Sequence, residues 1–191
     1  MSELLSALDE LVEIDLDDLS PDGILDLVAG LVTATNRMTA VLTSAVRAAD
    51  RREAYRRDGA VTMKAWLRGS CHMAPAEATA TVSTGRRLEQ LPATAAAFAD
   101  GAISATHARV ITRAMTPGRI AKAAVIGIDL AESDQILADL ARATAPHETA
   151  RGVVRWVAGV DPDGALDDAA ETRRRFTMAP GLDGRVHLRG E

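Results

Sequence analysis

An uninterrupted apolar seam near the N-terminus constrains the fold more than any other feature of the chain. Between Pro21 and Gly59 no proline interrupts a pattern of apolar or small residues at alternating steps of four and three: Ile24, Val28, Leu31, Thr35, Met38, Leu42, Ala45 and Ala49, widened by Leu25, Val32 and Val46. This spacing is typical of one face of an α-helix. We predict a single helix over residues 21–56, roughly 50 Å long at about 1.5 Å per residue.

A seam of this length has to be covered, either by other helices of the same chain or by a second subunit. The N-terminal segment offers a matching stripe at helical spacing: Leu4, Leu8, Leu11 and Val12. We therefore expect the cover to come from within the chain, and cover by a second copy or a partner helix is the alternative.

The rest of the chain is also predominantly helical in pattern. Alanine fills 37 of the 191 positions and aromatic residues only 3%, which favours a mainly α fold. Caps, prolines and glycines predict further helices at residues 62–68, 75–90, 92–101, 104–115, 119–131, 133–144 and from Pro146 onward.

A two-residue period replaces the helical one near the C-terminus. Phe176 and Met178, then Val186 and Leu188, alternate with polar residues around a turn at residues 181–184. The predicted architecture is thus a helical bundle around the long helix over residues 1–172. Residues 173–191 form a β-hairpin that begins a truncated C-terminal part.

Cysteine content and the N-terminal sequence narrow the class of protein. Cys71 is the single cysteine, so no internal disulfide and no cysteine-based metal cage can form. The first eighteen residues hold many acids and no base, unlike a secretory signal. We expect a cytoplasmic protein that does not enter a membrane.

Charge is distributed unevenly along the chain. The formal net charge is −5, yet residues 1–30 hold nine acids and no base, whereas residues 37–87 hold ten bases and four acids. A basic face on the middle of the chain could contact nucleic-acid phosphates. The candidate contacts are Arg51, Arg52, Arg56, Arg57, Lys64, Arg68, Arg86 and Arg87.

His107 is the residue that most invites a catalytic interpretation, because it follows Ser104 by one helical turn. The same spacing places Ser104 as N-cap and His107 as the third helical residue, where its ring can reach back to the cap. The sequence indicates neither a third residue that would complete a catalytic triad nor an oxyanion site. We therefore interpret His107 as part of a helix start.

Metal and nucleotide sites have no support in the sequence. The four histidines lack the spacing that a zinc site needs. The segment "DPDGALDD" (161–168) departs from the pattern of a calcium-binding loop, and we expect it to be a solvated acidic turn. No glycine-rich phosphate-binding loop follows a predicted strand. We expect no cofactor.

Taken together, a succession of short motifs resembles the actinobacterial family of domain of unknown function 222 (DUF222), whose mycobacterial members are called 13E12 repeat proteins. The motifs are Asp58-Gly59-Ala60, Trp66-Leu67-Arg68, Glu77-Ala78, Arg87-Leu88, Leu91-Pro92, Gly101, Ile103-Ser104, His107-Ala108, and the later "DPDG" and "LDGRVHLRGE". The resemblance extends from about Leu4 to Glu191.

The resemblance implies a place next to a nuclease, because longer relatives continue into an HNH endonuclease module. That module uses paired histidines and an asparagine. Here the single asparagine is Asn36, inside the long helix, and no histidine pair occurs. The expected function is therefore a non-catalytic accessory domain that contacts DNA through its basic face; the alternative is a dimerisation or protein-interaction module that uses the seam.

Overall fold

Helices account for most of the described chain. The computed structural model describes residues 2–164 and, of the remainder, the strands at 176–180 and 186–190. The α-helices are α1 (Ser2–Val12), α2 (Pro21–Arg51), α3 (Met63–Ser70), α4 (Pro75–Arg87), α5 (Pro92–Ala99), α6 (Ala105–Ala114), α7 (Pro117–Val125), α8 (Leu130–Ala143) and α9 (Pro146–Val160). Short 3₁₀ helices span Leu16–Asp18, Ala54–Asp58 and Leu88–Gln90. The mainly α prediction is confirmed.

Two short strands lie near the C-terminus. β1 (Phe176–Pro180) pairs antiparallel with β2 (Val186–Gly190), with Met178 opposite Leu188. The predicted turn at residues 181–184 and the predicted domain boundary between residues 172 and 173 lie outside the described residues.

Local capping chemistry sets most helix starts. The hydroxyl of Ser20 accepts a hydrogen bond from the Gly23 amide at 3.1 Å, and that of Thr62 accepts one from Ala65. Proline occupies the first position of α2, α4, α5, α7 and α9, where its missing N–H costs no hydrogen bond. The predicted break near residue 132 is wrong: α8 starts at Leu130, after Asp129 as N-cap and Gly127 in a left-handed conformation.

The core lies among the later helices and is not centred on α2. Its largest fully buried side chains include Phe98 of α5, Ile111 of α6 and Met115, and Leu137 of α8 and Val153 of α9 pack against the same cluster. Only Ala40 of α2 joins it. A bundle built around the long helix is therefore the wrong description of this packing.

The long helix ends five residues earlier than predicted. α2 stops at Arg51, and Glu53 takes a left-handed conformation (φ 51°) before the 3₁₀ helix Ala54–Asp58. The change of direction allows Tyr55 and Trp66 to pack against a second cluster that contains Val46 and Leu67. Trp66 Nε1 also donates to Asp58 at 2.6 Å, which fixes α3 against the turn.

Small and polar residues of α2 form its contact with the rest of the domain. Ala40, Thr43 and Val46 are its buried residues. A Cβ at Gly85 of α4 would lie 3.1 Å from the Thr43 carbonyl oxygen, and one at Gly101 would lie 2.7 Å from the Thr33 carbonyl oxygen. Two glycines thus let α2 approach α4 and the α5–α6 turn closely.

The predicted cover of the seam by the same chain is wrong. From Ile24 to Leu42 the large apolar residues of the seam are exposed, with Val28 at 52% and Met38 at 39%. α1, which was expected to cover them, has no buried residue of its own. Gly85 and Gly101 permit close contact with α2 only from Thr33 onward, and the large apolar side chains from Ile24 to Leu42 stay exposed.

Candidate functional site: an exposed apolar face

Among the described helices, α2 carries the largest number of exposed large apolar side chains, which together we call the outer face. It consists of eight large apolar side chains, each 38–67% exposed: Ile24, Leu25, Val28, Leu31, Val32, Met38, Val41 and Leu42. Single exposed apolar residues are normal in soluble proteins, but a contiguous patch of this length is typical of an interaction site.

Charged side chains are excluded from the outer face. Arg37 is the one charged residue between Asp26 and Arg47, and its side chain lies on the inward side, where its Cγ would be 2.6 Å from a Cβ at Gly101. Asn36 donates from Nδ2 to the Gly101 carbonyl at 3.2 Å on the same side. Asn36 and Arg37 thus approach the domain, and the eight side chains of the outer face carry no charge.

α1 adds a second unburied apolar stripe. Its exposed large residues are Leu4, Leu5, Leu8, Leu11 and Val12. Isolated helices of 11 residues are marginal in water, and α1 gains no buried contact within the described chain. The N-terminal 51 residues therefore present two apolar helix surfaces that lack a cover.

By length and composition α2 also meets the criteria for a membrane-spanning helix. Its inward side, however, carries Asn36, Arg37 and the buried Thr43, which contact α4 and the α5–α6 turn. A helix surrounded by lipid could not keep these polar contacts with the domain.

Four of the eight basic candidates are held by other groups of the chain. Arg86 forms a two-point ion pair with Asp50 at 2.6 and 3.0 Å, and this carboxylate holds the pKa of Arg86 above its ordinary value. Arg51 contacts Glu89 at 3.4 Å, and Arg56 contacts Glu53 at 3.0 Å. Arg87 donates to the Thr112 carbonyl at 2.9 Å.

The contact of Glu53 with Arg56 is a consequence of the backbone turn after α2. A helix continuing to residue 56 would bring Glu53 beside Arg57. Because Glu53 is left-handed and ends the helical segment, it contacts Arg56 instead.

The other four basic candidates have no acidic partner within residues 2–164: Arg52, Arg57, Lys64 and Arg68. Arg52 and Arg57 flank the turn after α2, and Lys64 and Arg68 stand one turn apart on α3. The structure thus reduces the predicted basic face to these four side chains at one end of α2.

His107 forms the helix start that its spacing predicts. Ser104 Oγ accepts from the His107 amide, and the Ser104 amide donates to Nδ1 at 3.1 Å, a capping box. Because Nδ1 accepts, the ring proton sits on Nε2, which donates to the Thr144 carbonyl at 3.0 Å. The ring, 8% exposed, links the start of α6 to the end of α8.

Two buried carboxylates have structural roles that the sequence did not reveal. Asp134 accepts from the amides of Ala93 and Thr94 and so caps α5 from a different helix. Asp161, expected in a solvated turn, is buried. A hydrogen bond from Lys122 at 2.5 Å, assisted by Arg119, lowers its pKa below the ordinary carboxyl value.

Among the described residues, no group of three or more His, Cys, Asp or Glu side chains is placed to hold a metal ion. The outer face of α2 and the basic candidates Arg52, Arg57, Lys64 and Arg68 remain as candidate surfaces for binding a partner.

Comparison with known proteins places the chain in a family but adds no activity. The family model described as "Domain of unknown function (DUF222)" matches residues 25–191. No curated protein and no solved structure matches the chain. The matched segment begins within α2 and includes most of the outer face. Because it covers most of the sequence, the chain belongs to the DUF222 family.

Proposed function

We propose that this chain is a self-association module in which the outer face of α2 binds the same face of a second copy. The observation that carries the proposal is the exposure of the seam from Ile24 to Leu42 on a helix that packs against the domain through Ala40, Thr43 and Val46. An identical partner satisfies such a surface by symmetry, since the same patch serves on both subunits.

The outer face offers enough exposed side chains for an interface with a second copy. Its eight apolar side chains are each 38–67% exposed, and specific interfaces of standard size bury about 1,200–2,000 Å² in total. The side chains are aliphatic and uncharged, as in the apolar core of a homodimer interface.

The resemblance to the front part of HNH endonuclease-like proteins suggests a context for this module. We propose that in such proteins the paired domains hold two copies of the chain side by side without taking part in catalysis.

A matched pair of substitutions tests the module. Met38→Glu places a charge on the outer face, whereas Val125→Glu places the same charge at an 86% exposed valine of α7. Size-exclusion chromatography with light scattering should show a dimer for the wild type and Val125→Glu, and a monomer for Met38→Glu. Burying an unpaired carboxylate in the interface should weaken association by about 2 kcal/mol or more.

Folding has to be followed in the same samples. Because Met38 is exposed in the isolated copy, we expect Met38→Glu to keep the helical circular dichroism spectrum of the wild type. A dimer that survives Met38→Glu, or a wild type that is monomeric, would rule out the module as proposed.

A second candidate function is contact with duplex DNA, favoured by the four basic candidates that have no acidic partner within residues 2–164. Arg52→Glu with Arg57→Glu should lower both the affinity for duplex DNA and its dependence on salt concentration, by about one unit of log–log slope per lost phosphate contact. Arg151→Glu with Arg155→Glu, an equal charge change at two exposed sites of α9, is the control. Binding that responds equally to both changes, or ignores salt, would exclude this candidate.

A further inference from the structure

The outer face also carries information on how two copies are oriented, and this inference rests on the self-association proposed above. We propose that the two α2 helices pair antiparallel about a point near Thr33, so that Ile24 of one copy lies against Leu42 of the partner. The charged segments at the ends of α2 then meet segments of opposite sign.

The spacing of the seam is symmetric about that point. Its six members between residues 24 and 42 fall into three pairs that are equally distant from residue 33: Ile24 with Leu42, Val28 with Met38, and Leu31 with Thr35. An antiparallel pair centred there therefore places each seam residue against another seam residue. Each pair also combines residues of different shape, as interdigitated layers between helices require.

The distribution of charge disfavours the parallel arrangement. Residues 1–30 hold nine acids and no base, so parallel helices would place two such segments side by side. Like charges that face each other across an interface oppose association. The eight side chains of the outer face are uncharged. They therefore provide no attraction that could offset the repulsion between the two acidic segments.

The antiparallel arrangement instead brings opposite charges together. The N-terminal end of one α2, with its acidic approach segment, would lie beside the partner's chain beyond Leu42. That part of the chain carries Arg52 and Arg57, which have no acidic partner within residues 2–164 of their own copy. Complementary charge at the two ends of the contact fixes its direction, while the apolar residues between supply most of the contact area.

Cysteine cross-linking distinguishes the two orientations. In a Cys71→Ser background, which removes the exposed native thiol, Ile24→Cys and Leu42→Cys are prepared as separate full-length variants. In the antiparallel pair, the two Ile24→Cys positions would be separated by 18 residues, or roughly 27 Å along the helix. This is beyond the reach of a disulfide, which needs Cα atoms within about 7 Å.

The expected result is a disulfide-linked dimer when the two variants are mixed and oxidised, and no linked dimer from either variant alone. Val28→Cys with Met38→Cys should behave in the same way. Linked dimer from Ile24→Cys alone would establish a parallel pair and overturn this inference while the self-association module stands. A dimeric mass with no cross-link in any combination would also overturn the antiparallel register.

A monomeric wild type would remove the inference together with the module. In that case, co-flotation of the chain with phosphatidylcholine vesicles would assign the outer face to a lipid surface instead of a second copy. Loss of co-flotation in Met38→Glu but not in Val125→Glu would confirm that reassignment.

Discussion

His107 joins two helices through both nitrogens of its ring. Nδ1 completes the capping box at the start of α6, and Nε2 donates to a carbonyl at the end of α8. His107→Ala removes both hydrogen bonds and leaves buried polar groups without partners, so we expect a loss of about 1–3 kcal/mol in the free energy of unfolding. Urea denaturation should show this loss, and His147→Ala, at an exposed histidine, should change little. Equal midpoints for the two variants would contradict the bridging role.

Asp161 connects α7 to the end of α9, and its stabilising effect depends on pH. Its pKa is lowered by the hydrogen bond from Lys122, together with Arg119. A carboxyl with a lowered folded pKa stabilises the fold above its unfolded pKa, near 4, and this contribution is lost as the pH falls through the folded value.

Asp161→Asn should therefore reduce stability at pH 7 and flatten the pH dependence of unfolding below about pH 4. Asp163→Asn, at an exposed neighbouring carboxylate, is the control for a change of net charge. Thermal melts at several pH values compare the two variants. A pH profile of Asp161→Asn that is parallel to the wild type would show that the ion pair contributes nothing.

At the level of elements, the contact between α2 and the domain depends on glycines. Gly101 and Gly127 both have positive φ, 77° and 78°, so alanine is strained at either position. Only at Gly101 would the added Cβ also meet α2, at 2.6 Å from Arg37 Cγ. Gly127 has open space.

We therefore expect Gly101→Ala to lose more stability than Gly127→Ala, with about 1 kcal/mol of strain common to both and a further 1–3 kcal/mol at Gly101 from the steric clash. Differential scanning calorimetry on both variants measures the difference. Similar losses would mean that α2 does not rest on this turn.

The comparison of sequence and structure is most informative for α2. Its start at Ser20-Pro21 could be predicted, because capping is a local interaction between residues close in sequence. Its early end at Arg51 could not, since Glu53 adopts a left-handed conformation that local preference disfavours. The sequence also did not predict which side of α2 contacts the rest of the domain. Hydrophobic periodicity identifies an apolar face but not the partner that covers it, and the inward contact relies on Gly85 and Gly101, which lie far away in sequence.

The same limit applies to the basic candidates. The sequence shows how many basic side chains there are, but not which of them are free to bind phosphate. That depends on acids such as Asp50 and Glu89, which lie near the basic side chains only in the folded chain. His107, in contrast, was predicted correctly because a capping box lies within a single helical turn.

For the whole molecule, we expect salt to weaken the association of two copies. Antiparallel copies place acidic and basic segments together, so added salt should screen that attraction and weaken the dimer. The dissociation constant should rise several-fold between low and physiological ionic strength, and Arg52→Glu with Arg57→Glu should remove most of this dependence. A dimer that becomes tighter with salt would contradict the proposed meeting of opposite charges.

Self-association through the outer face of α2 can be measured by the solution mass of the unmodified chain. One copy has a mass of 20.2 kDa, and sedimentation equilibrium over a range of concentrations measures the average mass. If the outer face of α2 is covered by a second copy, the mass should rise to twice that of one chain as concentration increases. A mass that stays at a single chain into the high micromolar range would show that a second copy does not cover this face.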